Sequence, residues 1–497
     1  MSEHESAGGT ARGVGARGGE AAKGASEGDD GARAPRLRWW ARAVVVVGRA
    51  ATWMVMTPPR AGARVWSRLK PTQQLVLGFA VYALMGVALL SAPMSQARPV
   101  GLIDNAFNVV SAISTTGLTT VSVADSYTRF GEVVILVLFQ LGGVGFMTLS
   151  SMFILARGRV LSDERLGVLR AGFAVPHYFV MQHFLVHVVA FTFACEAIGA
   201  GVLWWRFSAA GVEEPLWWAV FHAVSAFATA GFGLHNSSLE PFAGDWVINL
   251  VVGVLAYFGA IGFIVVQDVW YSIKLRERML TFTSKVILWM TGAVFVLGTI
   301  GLLVIEPSVE GLPPGQRVVA CAFQVMTAST TAGFNTIPIG GMSAGGLAVL
   351  MVAMLIGASP SGTGGGIKTT SVSAILGNLM SVVRGRPSIV WLGHELPLAR
   401  VLHAFAATSV YLIGLAVGVL ALAISEEHGF LAIVFEAASA IGTVGLSMGI
   451  TGSLTPAGKV VVMLLMFAGR LGPLTLGLAF LKQEGRVTGV RSDDLAV

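Results

Sequence analysis

One four-residue pattern, T-x-G-[FL], occurs four times in this 497-residue chain, and it is the feature most able to do chemistry. Its glycines recur at intervals of a little over a hundred residues, and each copy lies between two long apolar stretches. Four copies at a nearly regular period would suit a ring-shaped site in which one chain supplies all four quarters. The copies are Thr115-Thr116-Gly117-Leu118, Thr229-Ala230-Gly231-Phe232, Thr331-Ala332-Gly333-Phe334 and Thr443-Val444-Gly445-Leu446.

The chemistry that this pattern suits is the binding of a dehydrated cation. Backbone carbonyls can replace the water around such an ion without introducing a full charge. Glycine reaches the dihedral angles that turn successive carbonyls inward, and a short helix before it would direct its partially negative C-terminal end at the ion. The simpler alternative is four unrelated turn glycines. We predict an ion-binding selectivity filter made of Thr115, Thr116, Gly117, Thr229, Ala230, Gly231, Thr331, Ala332, Gly333, Thr443, Val444 and Gly445.

Composition predicts a polytopic membrane protein. Hydrophobic residues make up 54% of the chain and charged residues 12%, with a mean hydropathy of +0.74. Soluble domains carry about 25% charged residues. The two cysteines, Cys195 and Cys321, indicate neither a disulfide framework nor a metal site. The formal charge of +6 is attributed to the cytoplasmic face and not to a nucleic-acid partner.

Eight apolar segments are long enough to span a bilayer, which requires about 20 residues each. Each successive pair encloses one shorter apolar segment and one T-x-G-[FL] pattern. The predicted repeat is therefore span, half-helix, glycine loop and span, and the even number of spans makes all four repeats parallel. The predicted spans are Gln74–Ala92, Glu132–Ala156, Tyr178–Trp205, Trp246–Tyr271, Lys285–Ile305, Gly346–Met380, Val401–Ile424 and Lys459–Leu481.

These spans divide the chain into seven parts. Basic residues concentrate in the loops between repeats and acidic residues on the pattern side, so both termini are predicted to be cytoplasmic at the plasma membrane. The basic segment is too short to span, and it lies on the membrane surface or docks on the protein's own cytoplasmic side. The parts are a disordered tail (1–35), a basic interfacial segment (36–70), four repeats (71–170, 171–280, 281–395 and 396–482) and a cytoplasmic tail (483–497).

The sixth span is interrupted by Gly357–Gly366, which holds one proline and five glycines. Irregular backbone at membrane depth must line a cavity or be buried in protein. We predict a gate beneath the filter, with a simple helix kink as the alternative. The predicted gate residues are Gly357, Ser359, Pro360, Ser361, Gly362, Gly364, Gly365, Gly366, Lys368 and Arg470.

Two buried charges accompany the gate and the filter. Arg470 lies inside the eighth span, where it could face the pore, pair with an acid or with loop carbonyls, or cap carbonyls between helices. Glu436 lies in the segment before the fourth pattern, and we expect backbone donors to stabilise its charge.

These residues resemble the pore-forming subunits of the Ktr/Trk/HKT superfamily of potassium transporters, and most closely the KtrB type. The resemblance covers about Pro71 to Leu481. Two departures are an expected asparagine replaced by Thr229 and a proline, Pro360, in a loop that is usually free of it. The most specific matching stretches are Gln140–Thr148, Thr331–Thr336, Gly364–Thr370, Ser439–Gly449 and Gly469–Thr475.

The resemblance implies an all-α fold of four parallel membrane–pore–membrane repeats, with eight transmembrane helices and four re-entrant pore loops around one pseudo-fourfold pore. It also implies that Gly117, Gly231, Gly333 and Gly445 form the filter, that Gly357–Gly366 is the gate and that Arg470 faces the pore. The implied partners are a second copy in a homodimer, a cytoplasmic ring of nucleotide-binding, KtrA-like regulatory subunits, and the lipid bilayer. K⁺ is the implied substrate and Na⁺ an activator, with no organic cofactor.

We therefore expect a non-enzyme that takes up potassium passively through a carbonyl-lined filter. One glycine per quarter makes this filter shorter than the TVGYG type, which favours looser discrimination between potassium and sodium. Three alternatives remain: a secondary transporter of another solute, an intramembrane metalloenzyme that uses His183 and His187, and a non-conducting regulatory scaffold.

Overall fold

The computed structural model describes residues 69, 71–145, 148, 166, 181–275 and 280–472, and most of these residues are helical. The predicted N-terminal tail, nearly all of the basic segment and the cytoplasmic tail lie outside the described residues. So do the later parts of the second and eighth predicted spans and the start of the third.

Helices follow a similar order around each pattern: an apolar helix, a shorter helix that ends just before the pattern, and a further helix after it. Around the first pattern they are α1 (Pro71–Leu90), α2 (Leu102–Ile113), α3 (Val123–Ser126) and α4 (Arg129–Val144). Around the second they are α5 (Met181–Ala209), α6 (Pro215–Phe227), α7 (Trp246–Ala260) and α8 (Phe263–Leu275). Around the third they are α9 (Phe282–Ile305), α10 (Pro314–Thr330), α11 (Ala344–Leu355) and α12 (Thr369–Val383). Around the fourth they are α13 (Leu398–Ser425), α14 (Phe430–Gly442) and α15 (Pro456–Leu471).

Four helices in the described ranges are long and apolar enough to cross a membrane by themselves. They include the first helix around each pattern, which fits the predicted entry span of each repeat. The stretches are Gln73–Leu90, Phe184–Ala209, Phe282–Ile305 and Leu398–Ser425. A fifth candidate is the pair α7 and α8, which are bent by 93° relative to each other.

The span predicted over Trp246–Tyr271 is therefore not one straight helix but a bent pair. The chain breaks at Gly262, whose φ is +95°. A Cβ built there would lie 3.2 Å from Oγ of Ser361, so the break leaves room for the predicted gate loop. Glycines with positive φ also follow α4 and α15, at Gly145 and Gly472. Helices α4 and α15 thus also end at a glycine with positive φ, whereas the sequence indicated an interruption only in the sixth span.

Glycines also let three helices touch the end of the short helix before the pattern. A Cβ at each of these glycines would overlap backbone atoms of its neighbour, so no other residue fits without displacing a helix. The resulting contacts bring the helices around the patterns into one packed core. The pairs are Gly142 with Ile113, Gly259 with Phe227, and Gly469 with Ile441.

A short antiparallel hairpin connects α12 to α13. Its strands are β1 (Val390–Trp391) and β2 (His394–Glu395). The ring of Trp391 lies against Trp289 of α9, with 5.9 Å between ring centroids, and this contact ties the hairpin to the helices.

Candidate functional site

The four pattern glycines lie side by side, although they are distant in the chain. A Cβ built on Gly231 would lie 3.1 Å from Cα of Gly333 and 3.2 Å from Cα of Gly117. A Cβ on Gly445 would lie 3.2 Å from Cα of Gly117, and one on Gly333 would lie 3.3 Å from Cα of Gly445. All four glycines have positive φ, between 69° and 94°. The patterns therefore form one closed ring, and any side chain at a glycine would collide with its neighbour.

Backbone carbonyls face this ring. The carbonyl oxygen of the residue before each glycine lies next to the glycine of the adjacent pattern, and the side chains of these residues are fully buried. The residue after each glycine is also buried, with at most 1% of its surface exposed. The ring is consequently lined by backbone and supported by packed side chains. The carbonyls belong to Thr116, Ala230, Ala332 and Val444.

The first threonine of each pattern adopts a left-handed backbone conformation that β-branched residues rarely take. Such a conformation costs of order 1–2 kcal/mol per residue, and strained residues cluster at functional sites. We expected the glycines alone to supply the unusual dihedral angles, so this feature was missed, and only the threonine's presence in every copy could have indicated it. The residues are Thr115 (φ 53°), Thr229 (51°), Thr331 (58°) and Thr443 (49°).

One backbone hydrogen bond is repeated in all four quarters. In each, the residue before the glycine donates its N–H to the carbonyl five residues earlier, at 2.8–2.9 Å. In the first and fourth quarters a serine hydroxyl adds a bond to the glycine itself: Gly117 N–H donates to Ser111 Oγ at 3.1 Å, and Gly445 N–H donates to Ser439 Oγ at 3.0 Å. The short helix therefore determines where each quarter of the ring lies.

The loop over Gly357–Gly366 lies directly against the four threonines. Thr115 Oγ1 donates to the carbonyl of Thr363 at 3.2 Å, and Thr229 Oγ1 is 3.0 Å from Thr363 Oγ1. Gly365 N–H donates to Thr331 Oγ1 at 3.3 Å. A Cβ on Gly365 would also overlap Thr443. The loop thus covers one side of the ring, and Thr363, which was not among the predicted gate residues, makes two of its contacts.

Two cationic side chains hold this loop by consecutive carbonyls. Arg470 donates to the carbonyl of Thr363 and to those of Gly142 and Gly143 at the end of α4. Lys368 Nζ donates to the carbonyl of Gly364 at 2.8 Å. No acidic side chain in the described ranges pairs with Arg470. Arg470 therefore fits two of the roles considered for it at once: it binds a carbonyl of the loop, and it caps carbonyls at the end of a helix.

The remaining gate residues attach the loop to its surroundings. Ser359 Oγ is 2.8 Å from Thr369 Oγ1 at the start of α12, and Ser361 Oγ accepts the N–H of Ile264. The carbonyl of Pro360 lies in the space that a Cβ on Gly262 would fill. The structure thus brings the predicted filter and gate residues together, and their roles stay predictions.

Several acids on the pattern side are engaged in local bonds. Glu306 accepts the N–H groups of Ser308 and Ser343 at 3.1 Å. Burial alone would raise the pKa of Glu306, but these hydrogen bonds outweigh it and hold the pKa below its ordinary value. Hydrogen bonds from Asn236 and then Ser122 likewise lower the pKa of Asp125. These carboxylates therefore join elements at the mouth as well as contributing negative charge.

The alternative of a metal pair at His183 and His187 gains no support. His187 Nδ1 is 2.7 Å from Gln267 Oε1, and the side chain of His183 lies outside the described part of the chain. Within the described ranges, no three His, Cys, Asp or Glu side chains converge as metal ligands.

Comparisons with known proteins agree with one another. A family model described as TrkH, cation transport protein, matches residues 81–487. The Ktr system potassium uptake protein B of Bacillus subtilis is 34% identical over 426 residues, covering 84% of this chain and 95% of the relative. The potassium/sodium uptake protein NtpJ of Enterococcus hirae is 32% identical over 433 residues, covering 85% and 95%.

Solved structures show the same fold. The potassium transporter TrkH from Vibrio parahaemolyticus matches with a TM-score of 0.65 at 21% identity, over 82% of this chain and 84% of that one. The resemblance to the Ktr/Trk superfamily is confirmed, and the relatives are ion transporters, which is consistent with a non-enzyme. A matching membrane transporter family and several apolar helices make this chain membrane-embedded.

Proposed function

The chain belongs to the TrkH family of cation transport proteins, and from that membership we propose that it takes up potassium across the plasma membrane by channel-like permeation. The observation that carries the proposal is the closed ring of four glycines lined by backbone carbonyls. Carbonyls in a ring replace the hydration shell of a potassium ion. A membrane potential of about 100 mV contributes about 2.3 kcal/mol per charge, so uptake requires no chemical coupling.

The architecture in this proposal is four parallel membrane–pore–membrane repeats around the ring, with eight transmembrane helices and both termini in the cytoplasm. The repeated backbone hydrogen bond and the repeated left-handed threonine support equivalent quarters. The filter comprises the three residues T-x-G of each pattern. Because the ring is short, we expect looser discrimination between potassium and sodium than in a TVGYG filter.

The gate in this proposal is the loop Gly357–Gly366, held closed by Arg470 and Lys368. Its contacts with the ring threonines support closure on the inner side of the filter. A relative's name, Ktr system, supports a multi-component system, here a homodimer on a cytoplasmic ring of nucleotide-binding, KtrA-like subunits. The name of NtpJ, a potassium/sodium uptake protein, supports an effect of Na⁺.

The test is growth at limiting potassium, and rubidium uptake, by a bacterium that lacks its own potassium-uptake systems and expresses this chain. The unaltered chain should restore both. Gly333→Ser should abolish them, because φ is +78° at Gly333 and the new side chain would overlap the carbonyl oxygen of Val444.

The matched control is Gly341→Ser, eight positions further along, where a Cβ would meet nothing within 4 Å. This variant should support uptake like the unaltered chain. Absence of rescue by the unaltered chain, with a cognate regulatory subunit also supplied, would reject the proposed function. Equal uptake by Gly333→Ser would reject the ring as the pathway.

A further inference from the structure

A buried polar side chain occurs nine residues before each ring glycine. These side chains lie on α2, α6, α10 and α14, and none exposes any of its surface. Each lies three residues before the Ser or Thr that begins the last turn of its helix. Asparagine, histidine and glutamine occupy three of these places, and glutamate occupies the fourth. The residues are Asn108, His222, Gln324 and Glu436.

All four side chains reach the segment that leaves the ring. Asn108 Oδ1 accepts the N–H of Thr120 at 3.3 Å. Gln324 Nε2 donates to Thr336 Oγ1 at 3.1 Å. A Cβ on Gly233 would lie 3.3 Å from Nε2 of His222. The four side chains therefore occupy similar places relative to the ring.

Glu436 occupies this place in the fourth quarter. Ser447 Oγ donates to its Oε2 at 2.7 Å, and Thr451 Oγ1 donates to its Oε1. Both carboxylate oxygens therefore accept from hydroxyl groups, in place of the backbone donors that we expected. The donors follow Gly445 by two and six residues, so the carboxylate is bonded to the segment that leaves the ring.

No basic side chain among the described residues pairs with Glu436. A buried carboxylate is costly unless a positive charge or strong hydrogen bonds compensate it. The two hydroxyl donors supply part of that compensation. Ser439, which holds the N–H of Gly445, is one helical turn from Glu436, about 4.5 Å along the axis. A cation in the ring would be a positive charge that can act on Glu436 through this short stretch of protein.

We propose that Glu436 sets the affinity of the ring for its cation by charge, with the permeating ion as its counter-ion. This inference rests on the proposed function. The acid changes the affinity without touching the ion, and its effect reaches the ring through the low-dielectric protein interior, where charges interact strongly. Because this effect depends on the distance between the carboxylate and the ring, a carboxylate at any of the four equivalent places should have the same effect.

The experiment measures rubidium uptake against rubidium concentration in proteoliposomes. Glu436→Gln keeps the size of the side chain and removes the charge. We expect at least a fivefold higher KM with a maximal rate within twofold of the unaltered protein. Glu436→Gln combined with Gln324→Glu moves the carboxylate to the next quarter, where the hydroxyl of Thr336 can donate to it. We expect this double variant to return the KM to within twofold of the original value.

A purely structural role gives a different pattern. In that case the double variant stays impaired, because the glutamine of Glu436→Gln offers Ser447 and Thr451 one acceptor oxygen in place of two, and the inference is overturned. An unchanged KM in Glu436→Gln also overturns it. Where Glu436→Gln does not yield a monodisperse protein, Gln324→Glu alone decides: a second acid should lower the KM at least twofold, and an unchanged or higher KM is contrary evidence. Failure of the proposed function is a separate result, since the unaltered protein would then show no rubidium uptake.

Discussion

In the ring, the same backbone hydrogen bond occurs four times, four threonines share one strained conformation, and four glycines leave no room for a side chain. The loop over Gly357–Gly366 is also rich in glycine, but it occurs once and is held by Arg470 and Lys368 from outside it. A quarter of the ring cannot move without breaking bonds in its own helix. The loop is attached from outside the ring, by side-chain contacts and by backbone hydrogen bonds from Ser359 and Thr363 to the end of α7, so it can leave without breaking the bonds that form the ring. This difference suits a permanent filter and a movable gate.

Alanine at one glycine of each region should have opposite effects, and this is the largest contrast that we expect. In Gly445→Ala, φ of +94° and overlap with the carbonyl oxygen of Thr116 should reduce rubidium uptake to background. In Gly362→Ala, the new Cβ would lie 2.5 Å from the carbonyl oxygen of Ala260, which destabilises the packed loop but leaves the ring unchanged. Basal rubidium flux in proteoliposomes should then rise. Loss of flux in both variants would remove the distinction.

Removing the arginine should produce the next largest effect. Arg470→Ala loses the bonds to Thr363, Gly142 and Gly143. Hydrogen bonds from charged groups contribute about 1.5–3 kcal/mol each, and about 1.4 kcal/mol is a factor of ten in an equilibrium. Basal rubidium flux without the regulatory subunit should rise at least about tenfold. Arg470→Lys, which keeps the charge, should show a smaller increase. Flux at or below the unaltered level in Arg470→Ala would contradict the gate.

Lysine removal should act in the same direction but more weakly. Lys368→Met keeps the length of the side chain and loses one bond, at 2.8 Å, to the carbonyl of Gly364. We expect about a threefold increase in basal rubidium flux, which corresponds to about 0.6 kcal/mol, the lower part of the net range for an ordinary single hydrogen bond. The matched control is Lys285→Met, because Lys285 is a basic residue of α9 outside the loop. A larger effect from Lys368→Met than from Arg470→Ala would reverse the assigned order.

The smallest expected effect concerns the mouth and depends on pH. Because the pKa of Glu306 is lowered in the folded protein, its stabilising effect is present above the pKa of the unfolded chain, about 4.3. It is lost as the pH falls through the lower folded value. Glu306→Gln should reduce stability by about 1–3 kcal/mol at pH 7 and leave it unchanged well below pH 4.

Thermal unfolding followed by tryptophan fluorescence in detergent measures this difference. Glu310→Gln is the control, because Glu310 is exposed four residues away. A destabilisation of Glu306→Gln that is constant from neutral to acid pH would exclude the carboxylate as its cause. If folded Glu306→Gln protein takes up rubidium at pH 7 as fast as the unaltered protein, the role of Glu306 is limited to stabilising the mouth.

The patterns themselves were predictable because glycine and threonine were constrained locally in each quarter. A short helix, a turn and a backbone lining depend on residues that are close in the chain, so the repeated T-x-G-[FL] pattern could be recognised in the sequence. The interruption over Gly357–Gly366 was visible for the same reason. The break at Gly262 was not, because nothing nearby in the chain shows that the carbonyl of Pro360 lies against it.

The amino-acid sequence by itself determined the membrane class, the family, the four glycine patterns and the interrupted span. These features depend on composition and on short stretches of chain. Only the tertiary structure decided that Arg470 holds the loop and the end of α4 together, that Thr363 lies under the ring, and that Glu436 accepts two hydroxyls. Each of these partnerships except the last joins groups more than a hundred residues apart, and even Glu436 meets its donors only because the chain turns back at the ring. A buried charge shows in the sequence that it needs a partner, but only folding determines which group comes within reach.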